Sequence, residues 1–360
     1  MPLSRRAFAQ LLGTGAAAAA MPRLALAARP AGVVRLSANE NPYGPSPAAI
    51  AALRDAFGLI ARYPDDEADL LAGDIAKLHG VSPDGVILGA GSSEILKLVA
   101  AAFTSPSRKL VMASPTFEAI ARYANAAGAE IVTIPLDRGF AHDSAKMAAV
   151  AGAGVIYVCN PNNPTGSITP AAAMRSLIES AAPSAMILVD EAYHHYAASP
   201  SYESVIPMVK ARPNLIVART FSKIYGMAGL RAGYAIAQPE VVRKLDAQKA
   251  WDSMNVMALV AARASLADTA YVADGRRKNA ATKRDLVARL DALGYKTIPS
   301  ETNFVMIDLR REVRPVIGAM RERRVQVGRA FPALPQHLRV TVGTPEEMER
   351  FVEAFRNVVS

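Results

Sequence analysis

Lys223 lies in the stretch Arg219-Thr220-Phe221-Ser222-Lys223-Ile224-Tyr225-Gly226-Met227-Ala228-Gly229-Leu230-Arg231, between apolar runs at 215–218 and 233–237. A lysine in a glycine-punctuated connection between two strand-like runs is held at a sheet end, where burial lowers its pKa and frees its amine to react. A lysine in a solvated loop would do none of this, so the reading depends on what other segments bring to it. Gly89-Ala90-Gly91-Ser92-Ser93-Glu94 leads from an apolar run into a helical pattern. Small residues and free N–H groups at a helix start make an anion site suited to a phosphate. Ser114-Pro115-Thr116-Phe117 places an aromatic ring at another strand end, where Phe117 either stacks on a flat heteroaromatic ligand or joins the core. In Asn160-Pro161-Asn162-Asn163-Pro164-Thr165-Gly166, two Asn-Pro steps extend the chain and then turn it, which presents an amide rigidly. Asp190-Glu191-Ala192-Tyr193 ends a wholly apolar strand, and a carboxylate there needs a positive or hydrogen-bonding partner. A protonated ring nitrogen would serve, with Tyr193 reaching an oxygen of the same ring.

The elements that must position these residues follow from hydrophobic periodicity. From Val34 onward, short β-branched runs alternate with Ala/Leu-rich helical patterns, which predicts an α/β sheet with helices on both faces. Strands are expected at 86–88, 109–113, 130–134, 155–159, 186–189, 215–218 and 233–237. Crossover helices are expected at 93–103, 117–127 and 171–180. Ligands in such sheets sit outside the carboxyl ends of the strands, which is where the segments above fall. Beyond Pro239 come long helical stretches at 241–249 and about 274–293. The pattern 303–307, 315–323, 338–342 and 346–358 then predicts a small C-terminal α/β domain.

With 360 residues, 51% of them apolar, the chain can bury a large core. Cys159 is the single cysteine, which excludes an intramolecular disulfide, and no Cys/His grouping has zinc spacing. The net charge of +9 is spread among interspersed acids and bases, without the basic run or aromatic stripe that nucleic-acid binding calls for. Ser4-Arg5-Arg6-Ala7-Phe8, the Ala/Leu/Gly-rich run to Met21 and Ala25-Leu26-Ala27 resemble a twin-arginine export signal with a small-x-small cleavage pattern. Loss of Arg5, Arg6 and Arg23 with it would lower the net charge from +9 to +6. The expectation is periplasmic export of a mature protein without a membrane span, the alternative being a cytoplasmic protein that keeps its leader.

The ordered segments, from Ser37-Ala38-Asn39-Glu40-Asn41-Pro42-Tyr43-Gly44 to Leu338-Arg339-Val340-Thr341-Val342-Gly343-Thr344, resemble the fold-type I pyridoxal-phosphate aminotransferases of class I/II, in the histidinol-phosphate aminotransferase branch. The resemblance implies a mostly parallel seven-stranded sheet and pyridoxal 5'-phosphate as cofactor. It divides the chain into a signal at 1–28, an N-terminal arm at 29–60, a large cofactor-binding domain at 61–250, and long helices with a small domain at 251–360. Lys223 would link to the cofactor and then move the proton between substrate and cofactor carbons, and Asp190 would keep the ring nitrogen protonated. Asn163 and Tyr193 would hold the ring oxygen, and Phe117 would stack on the ring. Ser92, Ser93, Ser222 and Arg231 would hold the phosphate. Tyr63, in Arg62-Tyr63-Pro64, would reach the neighbouring subunit's cofactor, which implies a homodimer with shared sites. Arg339 and Asn41 would contact the substrate, Arg339 by a planar fork on a carboxylate. The reactants would be a small amino acid and a 2-oxo acid such as 2-oxoglutarate.

Two departures from the branch direct the substrate expectation. The upstream stretch Arg29-Pro30-Ala31-Gly32-Val33-Val34 lacks a tyrosine, and in Val327-Gly328-Arg329-Ala330-Phe331 the arginine is displaced by one position. In a strand that shift turns the side chain to the opposite face. The expected donor is therefore an ordinary amino acid, aromatic or otherwise apolar, with Trp251, Met254 and Met257 as candidate pocket walls. Histidinol phosphate, decarboxylation of an amino-acid phosphate, and a non-catalytic binding protein on the same fold are the alternatives. His194 and His195, read as successive strand residues on opposite faces, are not expected to chelate a metal. His79, His142 and His337 have no evident partner, and Asn303 has no assigned role.

Overall fold

In the computed structural model the described residues are 32–359; the expected leader at 1–28 lies outside them. The strands in chain order are β1 (Val34–Arg35), β2 (Val86–Gly89), β3 (Lys109–Ser114), β4 (Ile131–Pro135), β5 (Ala153–Cys159), β6 (Met186–Asp190), β7 (Leu215–Thr220), β8 (Gly233–Ile236), β9 (Lys296–Ile298), β10 (Phe304–Asp308), β11 (Val325–Gln326) and β12 (His337–Thr341). Seven form one sheet in the order β2-β8-β7-β6-β5-β3-β4. Only β8 opposes the rest, antiparallel to both β2 and β7. The carboxyl ends of β2, β3, β5, β6 and β7 therefore open on one edge, and the start of β8 lies there too, with Gly233 paired to both Gly89 and Thr220.

Burial on both faces explains the continuous apolar runs. Along the central strands, alternate residues join different cores: Ile156, Val158, Ile187, Val189 and Val217 pack on one side, and Val155, Tyr157, Leu188, Ile216 and Ala218 on the other. Helices Ser92–Phe103 and Ala119–Ala126 pack together over the second of these cores. The edge strand β4 is only partly buried.

A three-stranded antiparallel sheet, β12-β10-β9, forms the later α/β part with helices Val313–Glu322 and Pro345–Val359. Its separate core includes Val305, Ile307, Val340, Phe351 and Phe355. Val34 and Leu36 belong to this core, and β1 pairs in parallel with β11. The N-terminal arm is thus tied to the C-terminal part before it crosses to Lys223. Among the described residues, no single helix is long and apolar enough to cross a membrane.

Candidate active site

Lys223, Asp190, Tyr193, Asn163, Phe117, Ser92, Ser93, Ser222, Arg231 and Arg339 all line one cleft at the carboxyl edge of the large sheet. The Lys223 ammonium donates to the backbone oxygens of Ala38 at 3.3 Å and Asn39 at 3.2 Å. Burial and the nearby positive Arg339 lower its pKa to about 8. Asp190 is 2% exposed, and burial raises its pKa to about 6 against the hydrogen bonds it accepts. Those come from the Ala192 amide at 3.0 Å and the Tyr157 hydroxyl at 3.1 Å. Two neutral donors leave a carboxylate suited to a cationic partner in the cleft. Tyr157 lies two residues before Cys159, the strand partner of Asp190, so its side chain points to the same face as the carboxylate.

Tyr193 is approached by two side-chain amides. The Asn39 amide donates to its hydroxyl at 2.9 Å, the Asn163 amide approaches at 3.5 Å, and burial keeps the phenol protonated. Asn39 is itself fixed at φ 55° by long-range contacts: its N–H donates to the Thr341 hydroxyl and its carbonyl accepts from Asn303 and Lys223. Asn303 thereby gains a structural place, since its amide also donates to the Glu40 carbonyl at 3.3 Å.

The candidate anion site lies at the start of helix Ser92–Phe103. Arg231, at φ 63°, reaches over it, donating to the Ser222 hydroxyl at 3.3 Å and the Ala228 carbonyl at 2.9 Å. Gly91 has φ 79°, and a Cβ there would overlap the Arg231 guanidinium. A helix N-terminus, two serines, a third hydroxyl and an arginine are a set that could hold a phosphate. Together with the buried carboxylate, the reactive amine and the Phe117 ring, these residues fit pyridoxal phosphate.

Arg339 is 8% exposed, donating to the Asn163 side-chain oxygen at 2.7 Å and the Ser37 carbonyl at 2.8 Å, while its Nε has no protein partner. Arg329 also lines the cleft, which corrects the expectation that its displacement turns it away. Strand β11 ends at Gln326, so the alternation rule does not extend to position 329. Both guanidiniums lie on Phe331, Arg329 at 4.3 Å and Arg339 at 5.1 Å from the ring centroid.

Other sequence candidates lie elsewhere. Asn41 is outside the cleft lining; its amide donates to the Ile224 carbonyl at 2.7 Å, bracing the loop after Lys223. Tyr63 is 82% exposed on the surface. Trp251 and Met254 line a separate hollow with Pro64, and Met257 is not in the cleft lining either, so none of the three walls the Lys223 site. His194 and His195 occupy a 3-10 turn (His194–Tyr196), not a strand, and bond to different partners, Tyr202 and Tyr225. His79 and His142 have partners after all, in Tyr234 and Thr169.

The sequence profile of the aminotransferase class I and II family matches residues 31–355. A histidinol-phosphate aminotransferase of Moorella thermoacetica is 39% identical over 333 residues, spanning 91% of this chain and 86% of its own. One of Symbiobacterium thermophilum is 40% identical over 327 residues, 90% of each chain. The crystal structure of histidinol-phosphate aminotransferase from Sinorhizobium meliloti in complex with pyridoxal-5'-phosphate superposes with a TM-score of 0.86 at 27% identity, covering 91% of each chain.

Proposed function

The chain belongs to the class I and II aminotransferase family and is a pyridoxal-phosphate-dependent aminotransferase, and from this premise we propose that its amino donor is histidinol phosphate. The observation that carries the proposal is Arg329 in the cleft beside Arg339, two guanidiniums at one aromatic ring. Histidinol phosphate has no carboxylate, so its phosphate is the group such a pair would hold. The identity to relatives of that name supports this donor over an ordinary aromatic or apolar amino acid.

Bound pyridoxal phosphate supplies the electron sink that accepts the pair left when a C–H bond beside the amine breaks. The residues of this chain provide the rest. Lys223, with its lowered pKa of about 8, takes that proton on Nζ and returns it to a neighbouring carbon. The Asp190 carboxylate would pair with the ring-nitrogen cation, and Tyr193 and Asn163 would offer an O–H and an N–H to the ring oxygen. Ser92, Ser93, Ser222 and Arg231 anchor the cofactor phosphate. Arg339 serves the acceptor's carboxylate as well as the donor's phosphate, which makes 2-oxoglutarate a suitable acceptor.

We further infer a homodimer with shared sites, supported by the large apolar side chains left exposed at Phe57, Ile60, Tyr63 and Trp251.

A donor panel against 2-oxoglutarate tests the substrate assignment, comparing histidinol phosphate, histidinol and aromatic amino acids. Histidinol phosphate should have the highest kcat/KM, by at least about tenfold over histidinol, the loss expected when a charge-assisted contact is removed. A preference for an aromatic amino acid would overturn the proposal.

A further inference from the structure

Among the described residues four cations line the cleft: Lys223, Arg231, Arg329 and Arg339. Three of them donate to backbone carbonyls, hydroxyls or an amide oxygen. Arg329 also donates to a backbone carbonyl, that of Ala330 at 3.2 Å, but it has a carboxylate partner as well: its Nη2 is 2.5 Å from Oε2 of Glu118, a residue 211 positions away in sequence. Glu118 directly follows the cleft residue Phe117 and stands at the N-cap of helix Ala119–Ala126, although its side chain makes no capping bond. Its carboxylate is turned to the arginine instead. Both side chains are 54% exposed, so the pair sits in water where ions can exchange.

We propose that Glu118 is a specificity-determining residue: an internal anion that occupies Arg329 until the anionic tail of the substrate displaces it. The inference rests on the reading of Arg329 as a phosphate contact. A neutral tail leaves the Glu118–Arg329 pair intact and gains nothing from it. A single carboxylate offers the same charge as Glu118 and competes at parity. A phosphate dianion brings twice that charge and three acceptor oxygens, so it displaces Glu118 where the others do not. The pair thus converts a general anion contact into one that selects by charge, and selection against the wrong ligand is achieved by a competing group already in the protein.

Exposure fixes the size of the effect. A half-exposed ion pair is a weak competitor, so removing the Glu118 charge should tighten phosphate binding only about fivefold. The test compares steady-state KM values of the holoenzyme for histidinol phosphate and for histidinol, the same amine without the phosphate. Glu118→Gln should lower the ratio of the first KM to the second about fivefold. In an Arg329→Gln background the same substitution should leave the ratio unmoved, which separates competition for Arg329 from a change in folding or helix capping. An unchanged ratio in Glu118→Gln, or an equal effect with Arg329 removed, would overturn the inference. If the parent enzyme uses histidinol as well as histidinol phosphate, the substrate assignment fails by itself. Inorganic phosphate as a competitive inhibitor of the holoenzyme then decides for Glu118: tighter inhibition in Glu118→Gln supports the inference, and unchanged inhibition refutes it.

Discussion

Asp190 shows how a single side chain sets the relation between ligand and stability. In the cofactor-free protein its carboxyl binds a proton more tightly than in the unfolded chain, with a pKa raised by burial from 3.8 to about 6. Between those values the folded state holds more protons than the unfolded one, so stability falls as pH rises through the window, and the penalty is complete above about pH 6. Cofactor-free Asp190→Asn should therefore be more stable than the parent at pH 7, by up to about 3 kcal/mol, with the gap closing below pH 4. Urea melts at the two pH values measure this. With pyridoxal phosphate bound the order should reverse, because the variant lacks the charge that faces the ring nitrogen. Lys283 shows that a lowered pKa alone does not make an active residue. It too is brought to about 8 by burial, yet it donates to the Ser300 and Thr302 carbonyls and is not in the cleft lining. Lys223, Asp190 and Asn163 were legible in the sequence because each follows an apolar strand. Asn39 and Tyr157 were not: one acts through contacts 154 to 302 positions away, and the other is a mid-strand residue whose partner is on a neighbouring strand.

At the scale of elements, the strands of the large sheet other than β4 could be read in the sequence because burial on both faces makes them continuous apolar runs, and the partly buried edge strand β4 could be read from its β-branched residues. Helix Val256–Ala267 lacks a distinctive stripe, since six of its twelve residues are buried and most of the others are also apolar, and periodicity does not separate such a helix from other buried segments. Helix Asp65–His79 did carry a signal, in the acids of its first turn and in Gly80 at its C-terminal cap with φ 63°. Strands β1 and β11 have two residues each, too few for a pattern. The turn from β2 into helix Ser92–Phe103 depends on Gly91 twice, through its positive φ and through the space its missing Cβ leaves for Arg231. Gly91→Ala should leave most of the sheet intact but displace Arg231, weakening pyridoxal phosphate binding by at least about tenfold. Titration of the cofactor-free protein by absorbance gives the value, and an affinity equal to the parent's would show that the cradle does not need this glycine.

For the whole molecule, Phe57, Ile60, Tyr63 and Trp251 are among the large side chains left exposed in the described residues, and the proposed homodimer would cover them. The proposed homodimer predicts twice the mass of one 38.1 kDa chain in light scattering. It also predicts that a triple change of Phe57, Ile60 and Trp251 to serine yields monomers with little amino transfer, whereas a monomeric parent with full activity would remove the proposal. The pairing of β1 with β11 has a consequence for biosynthesis. Lys223 is surrounded by carbonyls of residues 38 and 39, and that arm is anchored by Thr341, Asn303 and the strand at Val325–Gln326. A nascent chain still lacking these residues has its lysine and aspartate but not the arm in place around them. The arm therefore takes its place at Lys223 only once Thr341 and the strand at Val325–Gln326 are present to anchor it.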